Sequence, residues 1–236
     1  MLTACVSTDE GSVTKALSHW AGVPRPGRVL LDGRYARLEP LTIERHEADL
    51  FDSARQPGAE ARFAYLWDEV PADSHDFRIW MERAVGADDP LFFAVIDKAT
   101  GRAEGRQALL RIDPVHGVIE IGHVLWGPAI ARTRVATEAL YLFATYAFDT
   151  LGYRRFEWKC NDRNVPSKRA ALRFGFTFEG IFRQHMVVKG QNRDTAWFSI
   201  LDSDWPTLKT SYERWLAPDN FDGDGRQLRK LEELRV

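Results

Sequence analysis

The chain has 236 residues, of which 44% are hydrophobic and 28% charged, and its formal net charge is −2. These values are typical of one large globular domain, or of one domain with extensions, and they exclude a strongly basic nucleic-acid-binding protein as the default. Residues 128–175 nevertheless hold nine Lys and Arg against four Asp and Glu. A basic segment inside a slightly acidic chain suits a small polyanionic ligand better than a long polymer.

Cysteine usage and the first residues indicate the compartment. Cys5 and Cys160 are the only cysteines, too few for a disulfide framework, so we expect a reducing cytoplasm. Residues 1–20 hold no apolar run of signal-peptide length, and no stretch reaches the roughly 20 apolar residues of a membrane span. No spacing of His and Cys resembles a metal site. We therefore expect a cytoplasmic protein with no membrane partner and no metal.

Composition divides the chain into three parts. Residues 1–28 predict a flexible N-terminal arm, 29–216 a folded domain, and 217–236 a C-terminal tail, an appendage with a short helix. Hydrophobic periodicity and turn residues predict the elements of the domain in chain order. They are a strand from Gly33, a helix from an N-cap at Thr42 to about Ser53, helical pieces over 56–86, strands over 91–97, 105–112 and 118–126, a helix over 132–150, a strand over 154–160, a helix over 165–174, strands over 176–188 and 194–201, and a helix over 206–216. This order predicts a mixed sheet with helices on both faces.

The most informative segment is residues 122–139, GHVLWGPAIARTRVATEA. A buried strand breaks at Gly127-Pro128, and a short loop leads directly into an apolar helix. The start of a helix leaves unpaired backbone N–H groups at the positive end of the helix dipole. Because such a helix start binds phosphate, the segment predicts a phosphate site.

A set of short motifs follows the same order: Glu120-Ile121-Gly122, Ala136-Thr137-Glu138-Ala139, Asn164-x-x-Ser167, Gly175-Phe176, Glu179-Gly180-x-x-Arg183 and Asp194. Over about residues 33–205, this combination resembles the GNAT acetyltransferase family, most closely its Rim-type branch, which acetylates protein N-termini and small amines. The resemblance implies an α/β (α+β) fold with a mostly antiparallel sheet of about seven strands. It also implies that the sheet is splayed open between the 118–126 and 154–160 strands, and that acetyl-CoA binds in the opening.

The resemblance places the pyrophosphate of acetyl-CoA at the helix start. The family signature Gln/Arg-x-x-Gly-x-Gly/Ala, aligned through Ala136-Thr137-Glu138, falls on residues 131–136, where Arg134 replaces the glycine and Ala131 the Gln/Arg. Since main-chain N–H groups hold the phosphates, the loop can still bind if the Arg134 backbone is helical and its side chain leaves the site, where it can pair with a cofactor phosphate. The implied cofactor-binding residues are Leu125, Trp126, Arg132, Thr133, Arg134, Val135, Ala136, Thr137, Asn164 and Ser167.

Acetyl transfer needs donors that polarise the thioester carbonyl and a proton for the departing thiolate. The resemblance implies that backbone N–H groups at about residues 125–127 polarise the carbonyl. The thiolate-protonating tyrosine of many relatives is Ala171 here, whereas Ser167 lies one helical turn earlier, and the Rim branch uses a serine there. The alternative is that Ser167 only caps the helix beside Pro166. Asn164 is expected to bind the pantetheine amides; its alternative is a turn residue.

The general base is left open among Glu120, His123 and His185, because Met186 stands where some relatives carry a carboxylate. On a regular strand Glu120 and His123 point to opposite faces, so only a bulge would let both line one pocket. The alternatives are that the histidine is a hydrogen-bonded core residue, and that a water chain or an already neutral amine removes the need for a side-chain base. We take Ser167, Glu120 and His123 as the catalytic candidates.

The acceptor side is expected to involve aromatic residues from the early helices. Tyr65 and Trp67 are candidates for the acceptor groove, with helix packing as the alternative, and His185 is placed with them. Four basic residues, Arg154, Arg155, Lys168 and Arg169, are interpreted as a solvated face or a contact with the adenosine phosphate, so no nucleic-acid partner is expected.

The sequence therefore predicts an acetyl-CoA-dependent N-acetyltransferase. The acceptor would be a primary amine, of a protein N-terminus or a small molecule, that attacks directly in a ternary complex. The alternative is a non-catalytic acyl-CoA-binding or regulatory protein on a degenerate GNAT fold, motivated by Arg134, Ala171 and Met186. The branch also suggests a homodimer.

Overall fold

The computed structural model describes residues 17–235. Its helices and strands agree closely with the predicted ones. They are β1 (Leu31–Asp32), β2 (Ala36–Pro40), α1 (Ile43–Arg55), α2 (Ala59–Phe63), α3 (Ser74–Gly86), β3 (Leu91–Asp97), β4 (Ala103–Asp113), β5 (Val118–Trp126), α4 (Arg134–Thr145), which continues as a π-helical turn (Tyr146–Thr150), β6 (Arg155–Asn161), α5 (Val165–Arg173), β7 (Thr177–Val188), β8 (Gln191–Leu201) and α6 (Trp205–Leu216), followed by 3₁₀ turns at Pro218–Asn220 and Leu231–Leu234.

One mixed sheet joins all eight strands in the order β1-β2-β3-β4-β5-β6-β8-β7. The predicted fold class is confirmed, and the eighth strand is the two-residue β1. Every neighbouring pair is antiparallel except β5 and β6, which run parallel and pair only from Val118↔Arg155 to Ile121↔Trp158. Beyond that rung β5 continues to Trp126 and β6 to Asn161 without pairing to each other. The sheet is therefore splayed at its centre, as the resemblance implies.

Helices cover both faces of the sheet, each over its own core. Strand β3 shows the division, because Phe93 belongs to the main core beneath α4 and α6 whereas Phe92 packs with Phe77 and Met81 of α3 on the other face. The strand is buried on both faces, so it reads as a continuous apolar run rather than an alternating one.

Both predicted extensions pack against the domain. Leu231 and Leu234 are buried in the main core, so residues 217–235 do not form the predicted appendage; their apolar side chains contribute to folding. At the other end, the Trp20 indole N–H donates to the Val115 carbonyl at 2.7 Å, and the Gly27 N–H donates to the Tyr146 hydroxyl at 2.9 Å. The prediction for residues 1–16, including Cys5, lies outside the described residues.

The predicted cap of α1 has a different chemistry. Thr42 is the N-cap residue, but its side chain makes no capping hydrogen bond; instead its main-chain N–H donates to His46 Nδ1 at 3.1 Å.

None of the helices within residues 17–235 has both the length and the hydrophobicity that crossing a membrane requires.

Candidate active site

A cavity of about 510 Å³ lies where β5 and β6 diverge; we call it the cleft. Residues from both faces of the sheet line it. Trp126, Arg132 and Ser167 contribute from the side of α4 and α5, and Glu120 and Trp67 from the side of α1 and α2. Because the β5 backbone beyond Ile121 has no β6 partner, its main-chain polar groups on that edge are available to a ligand. The cleft thus combines a wall of side chains with an unpaired strand edge.

A β-bulge reshapes β5 inside the cleft. Gly122 pairs with Ala108 and Leu125 with Arg106, so β5 has one residue more than β4 in this interval, and His123 has a φ of 49° in the left-handed region. The His123 ring lies 5.1 Å from that of Phe92, on the α3 face, and a Cβ added to Gly122 would lie 3.6 Å from Glu120 Oε1. The bulge therefore brings Glu120 and His123 to one face, where a regular strand would separate them.

Unpaired N–H groups mark the start of α4. Thr133 is the N-cap, and its hydroxyl accepts from the Val135 N–H at 3.1 Å. The Thr137 N–H is also satisfied, by the Thr133 carbonyl at 3.3 Å. No acceptor among residues 17–235 takes the N–H groups of Arg132, Arg134 or Ala136. These three donors and the positive end of the helix dipole fit a phosphate ligand.

The altered loop keeps these free N–H groups although Arg134 stands at the position of the family's glycine. Arg134 is the first residue of α4, and its guanidinium carbon lies 4.4 Å from the Tyr35 ring centroid and 5.3 Å from that of Phe221. The left-handed residue is instead Arg132, with a φ of 65°, which lines the cleft. The helical backbone of Arg134 needs no glycine, and its side chain packs on aromatic rings rather than on a phosphate.

The other predicted cofactor-binding residues on β5 and α4 fall into two groups, those that line the cleft and those whose side chains are buried. Leu125 and Trp126 line the cleft. The side chains of Val135, Ala136 and Thr137 are buried and do not line it, so among these three only the Ala136 N–H is left to reach a ligand. The positions were predicted through the signature, but the signature does not show which N–H groups the helix itself uses.

Ser167 faces the cleft rather than capping α5. The capping atom is Asn164 Oδ1, which accepts from the Ser167 N–H at 3.1 Å. The Ser167 hydroxyl accepts from the Trp158 indole N–H at 2.9 Å, and Asn164 and Ser167 both line the cleft. Cys160, two residues after Trp158 on β6, also lines the cleft. Burial is the main cause that raises the pKa of its thiol above the ordinary 9.0, and the Ser167 hydroxyl opposes this shift.

Glu120 is a buried carboxyl group between two cations. Its Oε2 lies 2.9 Å from Lys159 Nζ and 3.3 Å from Arg111 Nε. Neither cation is aligned as a hydrogen-bond donor to that oxygen. Burial raises the pKa of Glu120 above its usual 4.5, and Lys159 opposes the shift. A carboxyl group shifted in this direction is better suited to accept a proton near neutral pH than an exposed one.

The pKa of His123 is shifted in the opposite direction, downwards. Burial, followed by the charge of Arg106, lowers the pKa of His123 to about 4, and Asp68 acts against both. Its Nδ1 is buried without a hydrogen-bond partner among the described residues. At neutral pH the ring is therefore uncharged and weakly basic, which makes it a poorer proton acceptor than Glu120.

The segment that follows α2 lies over the cleft. Tyr65 and Trp67 line it, and the Tyr65 hydroxyl donates to the Arg163 carbonyl at 3.2 Å across the opening. Lys189, in the β7–β8 turn, donates from Nζ to the carbonyl oxygens of Phe63 at 3.1 Å and Asp68 at 2.9 Å. The segment that carries Tyr65 and Trp67 is thus fastened at both ends.

His185 lies outside the cleft lining. Its Nδ1 is 3.0 Å from the Thr195 hydroxyl, and its ring packs against those of Phe182 and Trp197. The irregular pairing of β7 between Phe182 and Met186 sets this position, and the sequence does not show such an irregularity.

Sequence reasoning missed Arg62 of α2 and three basic strand residues in the cleft, Arg111, Lys159 and Arg193. The latter three come from three different strands, so no local motif connects them. The alternation Arg193, Thr195, Trp197 on β8 places polar and aromatic side chains on one face, opposite the buried Ala196 and Phe198. This alternation is the sequence signal that could have identified Arg193 as a site residue, because a polar face next to a splayed sheet has to meet either solvent or a ligand.

A family model described as an acetyltransferase (GNAT) domain matches residues 36–177, more than half of the chain. The chain belongs to the GNAT acetyltransferase family. A GCN5-related N-acetyltransferase from Brucella melitensis has 58% sequence identity and a TM-score of 0.91, and the match covers 92% of this chain and 98% of that one. A protein from Chromobacterium violaceum, described as a probable acetyltransferase of the GNAT family, has 40% identity and a TM-score of 0.76, over 85% and 100% of the two chains.

Curated relatives are also N-acetyltransferases by name. YjcK of Bacillus subtilis, a probable N-acetyltransferase, is 30% identical over 182 residues, which are 74% of this chain and 98% of that protein. The chain spans only part of other curated relatives, 63% of the p20 protein of Bacillus licheniformis and 48% of YoaA of Bacillus subtilis. An acetyl transferase from Salmonella typhimurium that modifies the N-terminal serine of a ribosomal protein shares the GNAT fold at 16% identity, with a TM-score of 0.63.

Proposed function

We propose that this GNAT protein transfers the acetyl group of acetyl-CoA to a primary amine, by direct attack of the amine in a ternary complex. The observation that carries the proposal is the cleft itself. It joins Arg132, which lies directly before α4 and has an unpaired N–H group, a serine hydroxyl on α5 and a buried carboxyl group on β5 in one cavity. These are the three kinds of group that binding of a phosphate-bearing thioester, protonation of a thiolate and deprotonation of an amine require.

The residues present fit acetyl-CoA. The N–H groups of Arg132, Arg134 and Ala136 would hold its pyrophosphate, and Asn164 would meet its pantetheine arm. When bound, acetyl-CoA supplies an acetyl thioester, so that a C–N bond forms, a C–S bond breaks and the sulfur takes up a proton. The edge of β5 beyond Ile121, which has no β6 partner, would support hydrogen bonding to this group.

Each catalytic candidate has a defined role in the proposal. Glu120, through Oε1 or a water on it, accepts the proton that the amine loses. Ser167 gives its hydroxyl proton to the departing sulfur and regains one from solvent. His123 stays neutral and shapes the wall beside Glu120. Cys160 remains a protonated thiol, because burial raises its pKa, which supports direct transfer rather than an acyl-cysteine.

Release of free thiol from acetyl-CoA, measured with a panel of peptides and small amines, tests the proposal. Wild-type protein should release thiol only with an accepted amine, and Ser167→Ala or Glu120→Gln should lower kcat by about 10²- to 10⁴-fold. The exposed Ser203→Ala and Glu44→Gln are matched controls, because both side chains lie outside the cleft. They should keep the wild-type rate.

Two outcomes would contradict parts of this account. Binding of acetyl-CoA without thiol release by any amine would favour the non-catalytic acyl-CoA-binding protein. Full activity in both Ser167→Ala and Glu120→Gln would contradict the residue roles while leaving the reaction intact. The homodimer and the Rim-type choice of acceptor stay predictions of the sequence.

A further inference from the structure

The cleft is strongly basic, and one of its cations has no partner. Within the described residues 17–235, six charged side chains line it, of which Glu120 is the only acid. The five basic residues are Arg62, Arg111, Arg132, Lys159 and Arg193. A pocket with this excess favours a negatively charged ligand, and acetyl-CoA accounts only for the end at α4.

Three of these basic residues are already engaged. Arg62 donates to main-chain carbonyl groups, including those of Pro57 and Gln56 at 2.8 Å. Lys159 lies between Glu157 at 2.5 Å and Glu120 at 2.9 Å, and Arg111 lies 3.3 Å from Glu120. The charges of Arg111 and Lys159 are thus balanced by Glu120 and Glu157. Arg132 lies at the start of α4, where the cofactor phosphates are expected.

Arg193 has no such partner. It is 91% buried, with 9% of its surface exposed, its Nε has no hydrogen-bond partner, and no carboxylate within residues 17–235 forms an ion pair with it. Its guanidinium makes a cation–π contact with the Trp67 ring, whose centroid is 5.7 Å from the guanidinium carbon. Burying an arginine without a counter-ion is costly, so the arrangement is best explained by an anion that arrives with a ligand.

The position of Arg193 identifies which ligand. Arg193 shares a face of β8 with Trp197, and Lys159 Nζ lies 3.8 Å from the Trp197 ring centroid. This is the Glu120 side of the cleft, opposite the core face that holds Trp158 and Ala196. The ligand that enters on the Glu120 side in the proposed reaction is the acceptor amine.

Resting on the proposed function, we propose that the acceptor is a primary amine that also carries a carboxylate, and that Arg193 binds this carboxylate. The amine then lies at Glu120, and the planar guanidinium can pair with both carboxylate oxygens at once. The carboxylate can be the α-carboxylate of a free amino acid or an acidic side chain in a peptide.

The test pairs each acid with its neutral analogue. Thiol release from acetyl-CoA is measured with the free L-amino acids and their C-terminal amides, and with N-terminal Ser-Asp and Ser-Asn peptides. For the accepted pair, wild-type protein should show a kcat/KM about 10- to 100-fold higher for the acid than for its amide. The pair that shows this difference distinguishes the two sources of the carboxylate.

Variants assign the preference to Arg193. Arg193→Gln should lower the ratio of kcat/KM for the acid to that for its amide to about one, and leave the affinity for acetyl-CoA unchanged. Arg193→Lys keeps the charge and loses the planar guanidinium. Its preference for the acid should lie between those of wild type and Arg193→Gln. Arg183→Gln removes an exposed charge from the same hairpin, outside the cleft, and should behave as wild type.

Each other result is decisive. Turnover of amides and acids at equal rates by wild-type protein overturns the inference and leaves the proposed function standing. A preference for acids that persists in Arg193→Gln has the same consequence. Weaker acetyl-CoA binding in Arg193→Gln also overturns the inference, because it would assign Arg193 to the cofactor. No thiol release with any amine contradicts the proposed function, and the inference falls with it.

Discussion

The indole N–H of Trp158 donates a hydrogen bond to the Ser167 hydroxyl oxygen at 2.9 Å. Tryptophan is a donor only, so the serine must accept in this contact and direct its own proton elsewhere. The Ser167 N–H is meanwhile held by Asn164 Oδ1. Two neighbours therefore orient Ser167 so that its hydroxyl proton is the group left for the cleft.

Removal of the Trp158 N–H should release this orientation. Trp158→Phe keeps an aromatic ring in the core, and we expect kcat to fall about tenfold, the cost of one hydrogen bond, which is less than the loss in Ser167→Ala. Trp205→Phe is the matched control, because Trp205 is buried and donates to Asp149 at 2.8 Å but lies outside the cleft. If Trp158→Phe has the same kcat as Trp205→Phe, Trp158 does not position the serine.

The pH dependence of kcat/KM should identify the base. The folded pKa of Glu120 is raised above 4.5 by burial, so activity should fall as the pH is lowered through that raised pKa, where the carboxylate becomes protonated. Glu120→Gln should lower the rate and remove this acidic limb. His123 cannot produce a limb at higher pH, because its pKa is about 4. An unchanged acidic limb in Glu120→Gln would place the base elsewhere.

The free energy of unfolding at acid pH should depend on the protonation of His123. Its folded pKa of about 4 lies below the ordinary histidine pKa of 6.5, so between these values the unfolded chain binds more protons and stability rises with pH. The His123 contribution, about 3 kcal/mol by linkage, should be fully present above pH 6.5 and lost as the pH falls to 4. Urea unfolding of wild type and His123→Gln at pH 7 and pH 4.5 measures it. The stability gap between them should shrink at the lower pH, and a constant gap would contradict the shift.

Lys189 should affect the acceptor and not the cofactor. Its Nζ bonds hold the segment with Tyr65 and Trp67 over the cleft. Lys189→Met removes them, and we expect a higher KM for the amine with unchanged affinity for acetyl-CoA. Glu69→Gln removes only the exposed carboxylate that Lys189 also contacts, which contributes little, and should be close to wild type. Equal KM values in Lys189→Met and wild type would show that the segment needs no such support.

The elements of the fold could be predicted from the sequence because each one has its own local signal. Strand β3 is an apolar run, Gly152 and Gly175 follow the ends of α4 and α5 with positive φ, and α4 carries a broad apolar stripe. The helix start was predicted on the same basis, from Gly127-Pro128 and the apolar run beyond it. These signals act over a few residues and survive without knowledge of the tertiary structure.

The chemistry of the site depends on contacts that no local pattern contains. The bulge at His123 adjusts β5 to its partner β4, and Asn164 rather than Ser167 caps α5. Arg193 is isolated in the sequence from Trp67 and Glu120, and its missing partner can be recognised only after β8 has been placed beside β6. Tertiary pairing decides all three, so the sequence predicted the place of the site better than the role of each side chain.

The proposed function requires that main-chain N–H groups at the start of α4 bind acetyl-CoA despite the altered loop. Position 134 allows a test that isolates one N–H group. Arg134→Pro places proline at the first helical position, where it is tolerated, and Thr133 before it already has the extended backbone that proline requires, with φ −100° and ψ 176°. Arg134→Ala removes the same side chain and keeps the N–H group.

Calorimetric titration of wild type and these two variants with acetyl-CoA is the most direct measurement. We expect Arg134→Ala to bind as wild type does and Arg134→Pro to bind about 10- to 100-fold more weakly, the cost of one hydrogen bond to a charged group. Equal affinity in the proline and alanine variants, or no binding by wild-type protein, would contradict the claim that this helix start is the cofactor site.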